Sequence, residues 1–217
     1  MSTVAFSDSH LIAKFDPAKY FYLQNIIEPA DRVIINGDFW DGYMTSFTDL
    51  LNSEWSKLLE ILSGKKTYYV CGNHDTAALH DRRTNQFAQW CGEVLELMIN
   101  GQKYRFEHGH RIAPTMDQIY PSLFQRKWVA KTAAGFEHAG AWMLGQKFFI
   151  INQPKNTEIK RWQRQNIAPD QILICGHSHW PESNESERFY NTGYIRHRFA
   201  HHLVIDNGQH NLISGRY

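Results

Sequence analysis

The chain has 217 residues, 42% of them apolar, and a formal charge of +1 at neutral pH. That apolar share excludes a disordered chain, and the length suits a single domain spanning residues 1–217, with room for a small cap. The balance of 23 basic against 22 acidic side chains gives no bulk attraction for nucleic acid, and no apolar run approaches the roughly 20 residues of a membrane span.

From the N-terminus, Thr3-Val4-Ala5-Phe6 reads as a strand running into Asp8-Ser9-His10. Residues 16–29 carry helical spacing, after which Val33-Ile34-Ile35 leads into Gly37-Asp38. Helical spacing returns over 54–63, followed by Tyr68-Tyr69-Val70-Cys71 and then Gly72-Asn73-His74-Asp75. Asn100-Gly101 separates two β-like runs, Glu93 to Ile99 and Gln102 to Glu107, and predicts a hairpin with a type I′ turn. The second arm ends in Glu107-His108-Gly109-His110. Between Pro114 and Pro169 the pattern is helical with no strand signal, and Ile172-Leu173-Ile174-Cys175 then leads into Gly176-His177-Ser178-His179. Asn207-Gly208 predicts a closing hairpin of His201 to Asp206 with Gln209 to Ile213.

Five polar blocks therefore follow five apolar runs, at the C-terminal strand ends where open α/β sheets place their sites. The first four are roughly 30 residues apart, about one strand–helix–strand unit, and this predicts that all five converge on one edge of a sheet. Mixing βα units with hairpins predicts an α/β sandwich of two packed mixed sheets flanked by helices. Any one block has a plain alternative: Asp8, Asp38 and Asp75 are acceptable helix N-caps, and a lone pair such as His177 and His179 is commonly surface. The same residue types at five strand ends in order make a metal site the better account. Asp and Asn oxygens mixed with imidazoles suit Mn, Fe or Zn rather than Mg or Ca, and the absence of Cys from the blocks argues against a closed structural zinc.

The order of blocks, with Asp38 and Asp41 in a GDxxD pattern, GNHD at Gly72 to Asp75 and GHSH at Gly176 to His179, resembles the calcineurin-like metallophosphoesterase superfamily from Asp8 to about Gly193. The early first block, the Gly37-Asp38-Phe39-Trp40-Asp41 wording, the helical stretch between His108 and His177 and the total length are most similar to the UDP-2,3-diacylglucosamine pyrophosphatase group. The resemblance implies two divalent transition-metal ions, manganese first, with iron or zinc as alternatives. Asp8, His10 and His179 would hold one ion, Asn73, His108 and His177 the other, and Asp38 would bridge them. Such ions lie about 3.5–4 Å apart and lower the pKa of a bridging water from about 15.7 toward 7. The resemblance further implies that His74 is a catalytic acid or charge stabiliser rather than a ligand, that Asn73 and His74 meet the substrate, and that Asp41 orients His74 and keeps it protonated. Asp75 is expected to fix its loop, and His110 to form a wall of the site.

Inserted between the fourth and fifth blocks, the helical residues 114–169 are expected to form a cap over the metals. Phe124, Trp128, Trp142 or Phe149 would be partly exposed toward an apolar cleft, with Lys155 and Lys160 as its cationic contacts and Asn156 and Thr157 beside them. A cleft of this kind suits an amphipathic phosphate: a phosphate ester or pyrophosphate, including a UDP-linked lipid. At one position the chain departs from the pyrophosphatase group, whose bacterial members often carry Arg where His74 stands; His80, Arg82 and Arg83 are nearby cations that would compensate. A nuclease or phosphodiesterase of the same superfamily keeps every ligand and would show a basic groove. A non-catalytic scaffold would have lost ligands, and none is lost here. Gly42-Tyr43 and Asp75 depart from the protein Ser/Thr phosphatases. With no charged-then-apolar leader before Asp8, and Cys71, Cys91 and Cys175 reading as small core residues of a reducing compartment, the expected location is cytoplasmic, compatible with peripheral membrane contact.

Overall fold

The computed structural model describes residues 1–124 and 126–217, without the side chains of Pro121, Phe124 and Lys127. One sheet is built on parallel strands β1 (Thr3–Phe6), β2 (Arg32–Asn36), β3 (Lys66–Val70) and β4 (Trp90–Gly92). The second holds β5 (Val94–Ile99), β6 (Gln102–Glu107), β7 (Gln171–Cys175), β8 (Glu182–Asn184) and β9 (Phe189–Asn191), in the order β5-β6-β7-β9-β8. The chain then returns through β10 (Ile195–Arg196), β11 (Phe199–Asp206) and β12 (Gln209–Arg216), and β11 closes the first sheet antiparallel to β1.

Alternation along the strands sets the layers. Ala5 and Ile34 point inward, where they meet Phe106, Ile172 and Ile174 of the second sheet. Their neighbours Val4, Phe6, Val33 and Ile35 point outward against helices α1 (Pro17–Ile27) and α3 (Ser56–Ser63), as the period of two requires. A short helix, α2 (Phe47–Leu51), lies between them in sequence. Asp16 caps α1 by accepting from the Ala18 and Lys19 amides, and Pro17 opens it. The outer face of the second sheet packs Leu173, Cys175 and Phe189 against Ile159. That residue belongs to α7 (Gln153–Asn166), the last of four helices after α4 (Met116–Ile119), α5 (Pro121–Phe124) and α6 (Lys127–Leu144).

The two Asn-Gly pairs form the predicted hairpins: Asn100 and Gly101, and Asn207 and Gly208, all have positive φ, and Ile99 faces Gln102 as Asp206 faces Gln209. The convergence on one sheet edge needs correction. The runs before the first three blocks are β1, β2 and β3 of one sheet, whereas those before the last two are β6 and β7 of the other. Spacing marks where a strand ends; pairing partners decide which sheet it joins, and β6 pairs with β5 and β7. The two edges abut, because the Asn36 amide donates to the Ile174 carbonyl at 3.0 Å. No helix among the described residues is long and apolar enough to cross a membrane.

Candidate metal centre

The first, second and fifth blocks leave their strands through an unusual backbone. Asp8, His10, Asp38, His177 and His179 all have φ between 43° and 66°. Side chains with a Cβ rarely adopt that region, and its cost is concentrated where surrounding structure over-determines the geometry. Here the turn aims successive polar side chains into the gap between the sheets. Two glycines allow the close approach: a Cβ at Gly72 would strike the Asp38 carboxylate, and one at Gly176 would strike Ser7 and Asp8. Asp75 ties the loops together, accepting from the amides of Asp38, Phe39 and Gly72 and from the Tyr69 hydroxyl at 2.5–3.1 Å.

Seven side chains from all five blocks meet in the gap. The ligand atoms of Asp8, His10 and His179 lie within 4.8 Å of one another, and so do those of Asp8, Asp38 and His108. Asp8 Oδ1 is 3.1 Å from His179 Nε2 and 3.9 Å from His10 Nε2, while Asp38 Oδ2 is 3.3 Å from His108 Nε2 and 3.7 Å from His10 Nε2. Asp8 belongs to both groups, its Oδ1 lying 3.9 Å from His108 Nε2 as well, and Asp38 of the second group faces His10 of the first. Two imidazoles are oriented from behind: His108 Nδ1 is 2.8 Å from the Asn36 carbonyl and His177 Nε2 is 2.8 Å from the Ala113 carbonyl. In the neutral imidazoles, donating those protons leaves the lone pairs of His108 Nε2 and His177 Nδ1 for a cation that displaces any second proton. Asn73 donates to Asp117 at 2.8 Å, but its Oδ1 is buried without a hydrogen bond, as is Asp8 Oδ1.

The electrostatics ask for cations. Burial opposes charging His108, yet Asp38 and Asp8 push its pKa up to about 10. Burial carries His10 and His177 the opposite way, well below the ordinary imidazole range. Orphaned oxygens, free lone pairs and carboxylates short of positive charge fit a site for divalent ions.

His74 lies at the rim of the cluster, its ring nitrogen within 4.8 Å of ligand atoms of His10 and Asp41. Its ring meets His10 edge-on at 4.5 Å and Tyr43 at 4.7 Å, and its Nδ1 lies 3.3 Å from Asp41 Oδ1. Burial lowers its pKa, but Asp38 and then Asp41 outweigh that and raise it to about 9. His110 packs against His108 and His177 and borders a neighbouring groove with Glu93 and Arg111.

A cleft of about 320 Å³ opens over the cluster. His10, Asp38, Asn73, His177 and His179 form its floor, and Phe136, Phe148, Phe149, Ile151 and Lys155 come from the helical stretch. The expected aromatics are only partly right. Phe149 is there, whereas Trp128 and Trp142 are 64% and 82% exposed and do not line the cleft. The Phe124 side chain lies outside the described residues. Helical spacing shows that an apolar stripe exists, not which side of it faces the sheets. Lys160 also needs correction: its Nζ lies 2.6 Å from Glu182 and 3.0 Å from Glu187, away from the cleft. Asn156 is buried, donating to Trp180 O and accepting from Ser178 Oγ, so it braces the last block, and Thr157 is exposed. Arg83 pairs with Asp81 at the surface and His80 turns toward two cysteines, so neither compensates at the site.

Two further residues reach the centre unannounced. Glu137 of α6 is 2.9 Å from His197, 3.1 Å from Arg196 and 3.8 Å from His179. Burial would raise its pKa, but Arg196 and then His197 hold it well below the carboxylate range. Asp117 of α4 holds Asn73 and faces the Tyr43 hydroxyl at 3.4 Å. The one available signal was that Glu137 is the only acidic residue of α6; nothing marked Asp117.

Residues 1–153 match the family model described as the calcineurin-like phosphoesterase superfamily domain. The chain belongs to the calcineurin-like phosphoesterase superfamily. Most of that superfamily are metal-dependent phosphoesterases that bind divalent metals, and this member carries the ligand groups to do so. No curated protein matches the chain. Among solved structures, a novel archaeal phosphodiesterase is 15% identical, with 99% of each chain covered and a TM-score of 0.52, which supports a shared fold. The phosphoesterase Yfce from E. coli is 15% identical over 95% of this chain and 89% of that one, at a TM-score of 0.49. Vps29 from Entamoeba histolytica, complexed with Zn, is 14% identical over 100% and 99%, also at 0.49.

Proposed function

We propose that this superfamily member hydrolyses a phosphate ester or pyrophosphate of an amphipathic substrate, such as a nucleotide-linked lipid, through a dinuclear centre of divalent transition-metal ions, manganese first. Asp8, His10 and His179 would hold one ion, Asn73, His108 and His177 the other, and Asp38 both. Residues 114–169 would act as a cap within a single domain. The observation that carries this reading is the shared cleft, in which the same space is lined by candidate ligands below and by Phe136, Phe148, Phe149 and Ile151 above.

Divalent ions held by these residues would supply Lewis-acid chemistry, lowering the pKa of a bound water. The remaining work falls to the chain. His74 faces Asp41 through Nδ1, which leaves its Nε2 proton for the leaving oxygen, and its raised pKa keeps that proton available near neutrality. Asp117 turns the Asn73 amide so that Oδ1 points away from the donated bond. Lys155 lines the cleft, where its ammonium would hold a phosphate oxygen that does not react. Arg196 is engaged by Glu137, and the described lining sets these two cations against Asp38, Asp41, Asp117 and Glu137. That balance favours one small phosphate group over a nucleic-acid backbone, which needs a basic track.

The test is metal-reconstituted protein assayed in parallel on a monoester, a diester and nucleotide pyrophosphates with and without acyl chains. Turnover that rises with chain length and falls on removing manganese is expected. Equal rates for acylated and unacylated substrates would overturn the amphipathic substrate, and turnover unchanged by chelation would overturn the metal mechanism.

A further inference from the structure

Behind the loop of the third block lies a side-chain cluster that the hydrolytic chemistry does not use. Cys71 follows β3, Cys91 sits in β4, and the Cys71 amide donates to the Gly92 carbonyl at 2.8 Å, so parallel pairing brings the thiols side by side. His80 reaches the pair from the segment after Asp75. The two sulfurs are 3.7 Å apart, and His80 Nε2 is 3.4 Å from Cys71 Sγ and 3.7 Å from Cys91 Sγ.

Those three separations match a metal polyhedron. With Zn–S near 2.3 Å and Zn–N near 2.0–2.1 Å, a tetrahedral site puts its sulfurs about 3.8 Å apart and its nitrogen about 3.5 Å from each. The imidazole is also set in the ligating tautomer. The Thr84 hydroxyl donates to the Asp81 carbonyl at 2.9 Å, so its oxygen is an acceptor for His80 Nδ1, 3.2 Å away. With the proton on Nδ1, the Nε2 lone pair faces the sulfurs. Thr84 is buried, and His80 stacks on Tyr69 at 5.7 Å, which fixes the ring plane.

We propose that Cys71, His80 and Cys91 form a second, thiophilic metal site that binds zinc, separate from the centre between the sheets. Binding replaces the two thiol protons, released to solvent, with one divalent ion, and leaves a fourth position for water. Paired thiolates select zinc over manganese, whereas the Asp, Asn and His set has no sulfur. An ion there would clamp β3, β4 and the 3-10 segment at Arg82–Gln86 behind the loop that carries Asn73 and His74.

Cobalt serves as the probe, because thiolate ligation gives a charge-transfer absorption that oxygen and imidazole ligands do not. Reduced wild-type protein should show that band and bind one more cobalt ion than Cys91→Ser, which should lack the band. Asp38→Asn should retain it, which keeps this site distinguishable from the hydrolytic centre. A measurement on the unaltered chain guards against a folding defect in the variant. In manganese-loaded protein, added zinc should slow alkylation of the part-exposed Cys91 at least tenfold, and added magnesium should not. Absence of the band in wild type, or an alkylation rate indifferent to zinc, overturns the site.

Discussion

The edge cluster and the helical stretch from α4 to α7 are built to different tolerances. In the cluster, Asp8, Asp38 and His108 are buried to within 2% and five candidate ligands sit on left-handed backbone. Asp8, Asp38, His108 and His177 are each held from behind by a carbonyl, an amide or Asp75. The helical stretch instead leaves Trp128, Phe136, Trp142 and Met143 between 64% and 82% exposed and meets the site through a few residues, chiefly Glu137, Phe149 and Lys155. Chemistry needs donors fixed within tenths of an ångström, whereas accommodating a substrate needs area and shape. The contrast implies that changes in the cluster abolish the reaction, while changes in the helices alter what is bound.

The sharpest way to break that contrast is at Asp38, the carboxylate proposed to bridge the two ions. Asp38→Asn removes an anion that would be shared by two dications, and loss of at least one ion and nearly all turnover is expected. Two ions per chain with wild-type turnover would end the assignment of Asp38.

His74 tests whether a residue in the same cluster acts without holding metal. His74→Asn should leave metal content unchanged and lower turnover by roughly 10²–10⁴-fold, the range for losing a general acid. The deficit should shrink on p-nitrophenyl esters, whose leaving group needs no proton; equal deficits on nitrophenyl and alkyl esters would remove that role.

Phe149 is where the two regions touch. It is 1% exposed, with its ring centroid 4.4 Å from Tyr194 and 5.6 Å from His179. Phe149→Ala should cost about 3–5 kcal/mol of stability through the cavity it leaves. A thermal or urea denaturation curve close to wild type would show that the helices are not anchored there.

The pH profile separates Asp41 from its neighbours. His74 has its pKa raised to about 9, so its protonated form, and any stability gained from it, is fully present below the ordinary value near 6.5 and lost as pH rises through about 9. Asp41→Asn should move the alkaline limb of turnover down toward 6.5. An unmoved limb would assign it to another group.

The smallest effect per step belongs to the helices. If Phe136, Phe148 and Ile151 receive an acyl chain, each added methylene should tighten binding by up to about 0.8 kcal/mol. Inhibition constants for a homologous series of substrate analogues measure this, and a flat series would leave the cleft to a small soluble phosphate.

Read alone, the residues determined the strands that precede the blocks, the two Asn-Gly hairpins and the set of polar blocks, because alternation, turn chemistry and ligand type are local properties carried in adjacent positions; the short strands β4, β8, β9 and β10 carry no such signal. The pairing of Asp41 with His74 came from the family resemblance that those blocks carry, rather than from local pattern. Tertiary structure alone decided that two sheets share the ligands, that Lys160 answers Glu182 and Glu187 rather than the cleft, and that Trp128 and Trp142 face solvent. It alone brought Glu137 and Asp117 to the centre, and Cys71, His80 and Cys91 to one another. Those outcomes depend on which face of a helix meets the sheets and which strand pairs with which, and both are settled by packing between segments far apart in the chain.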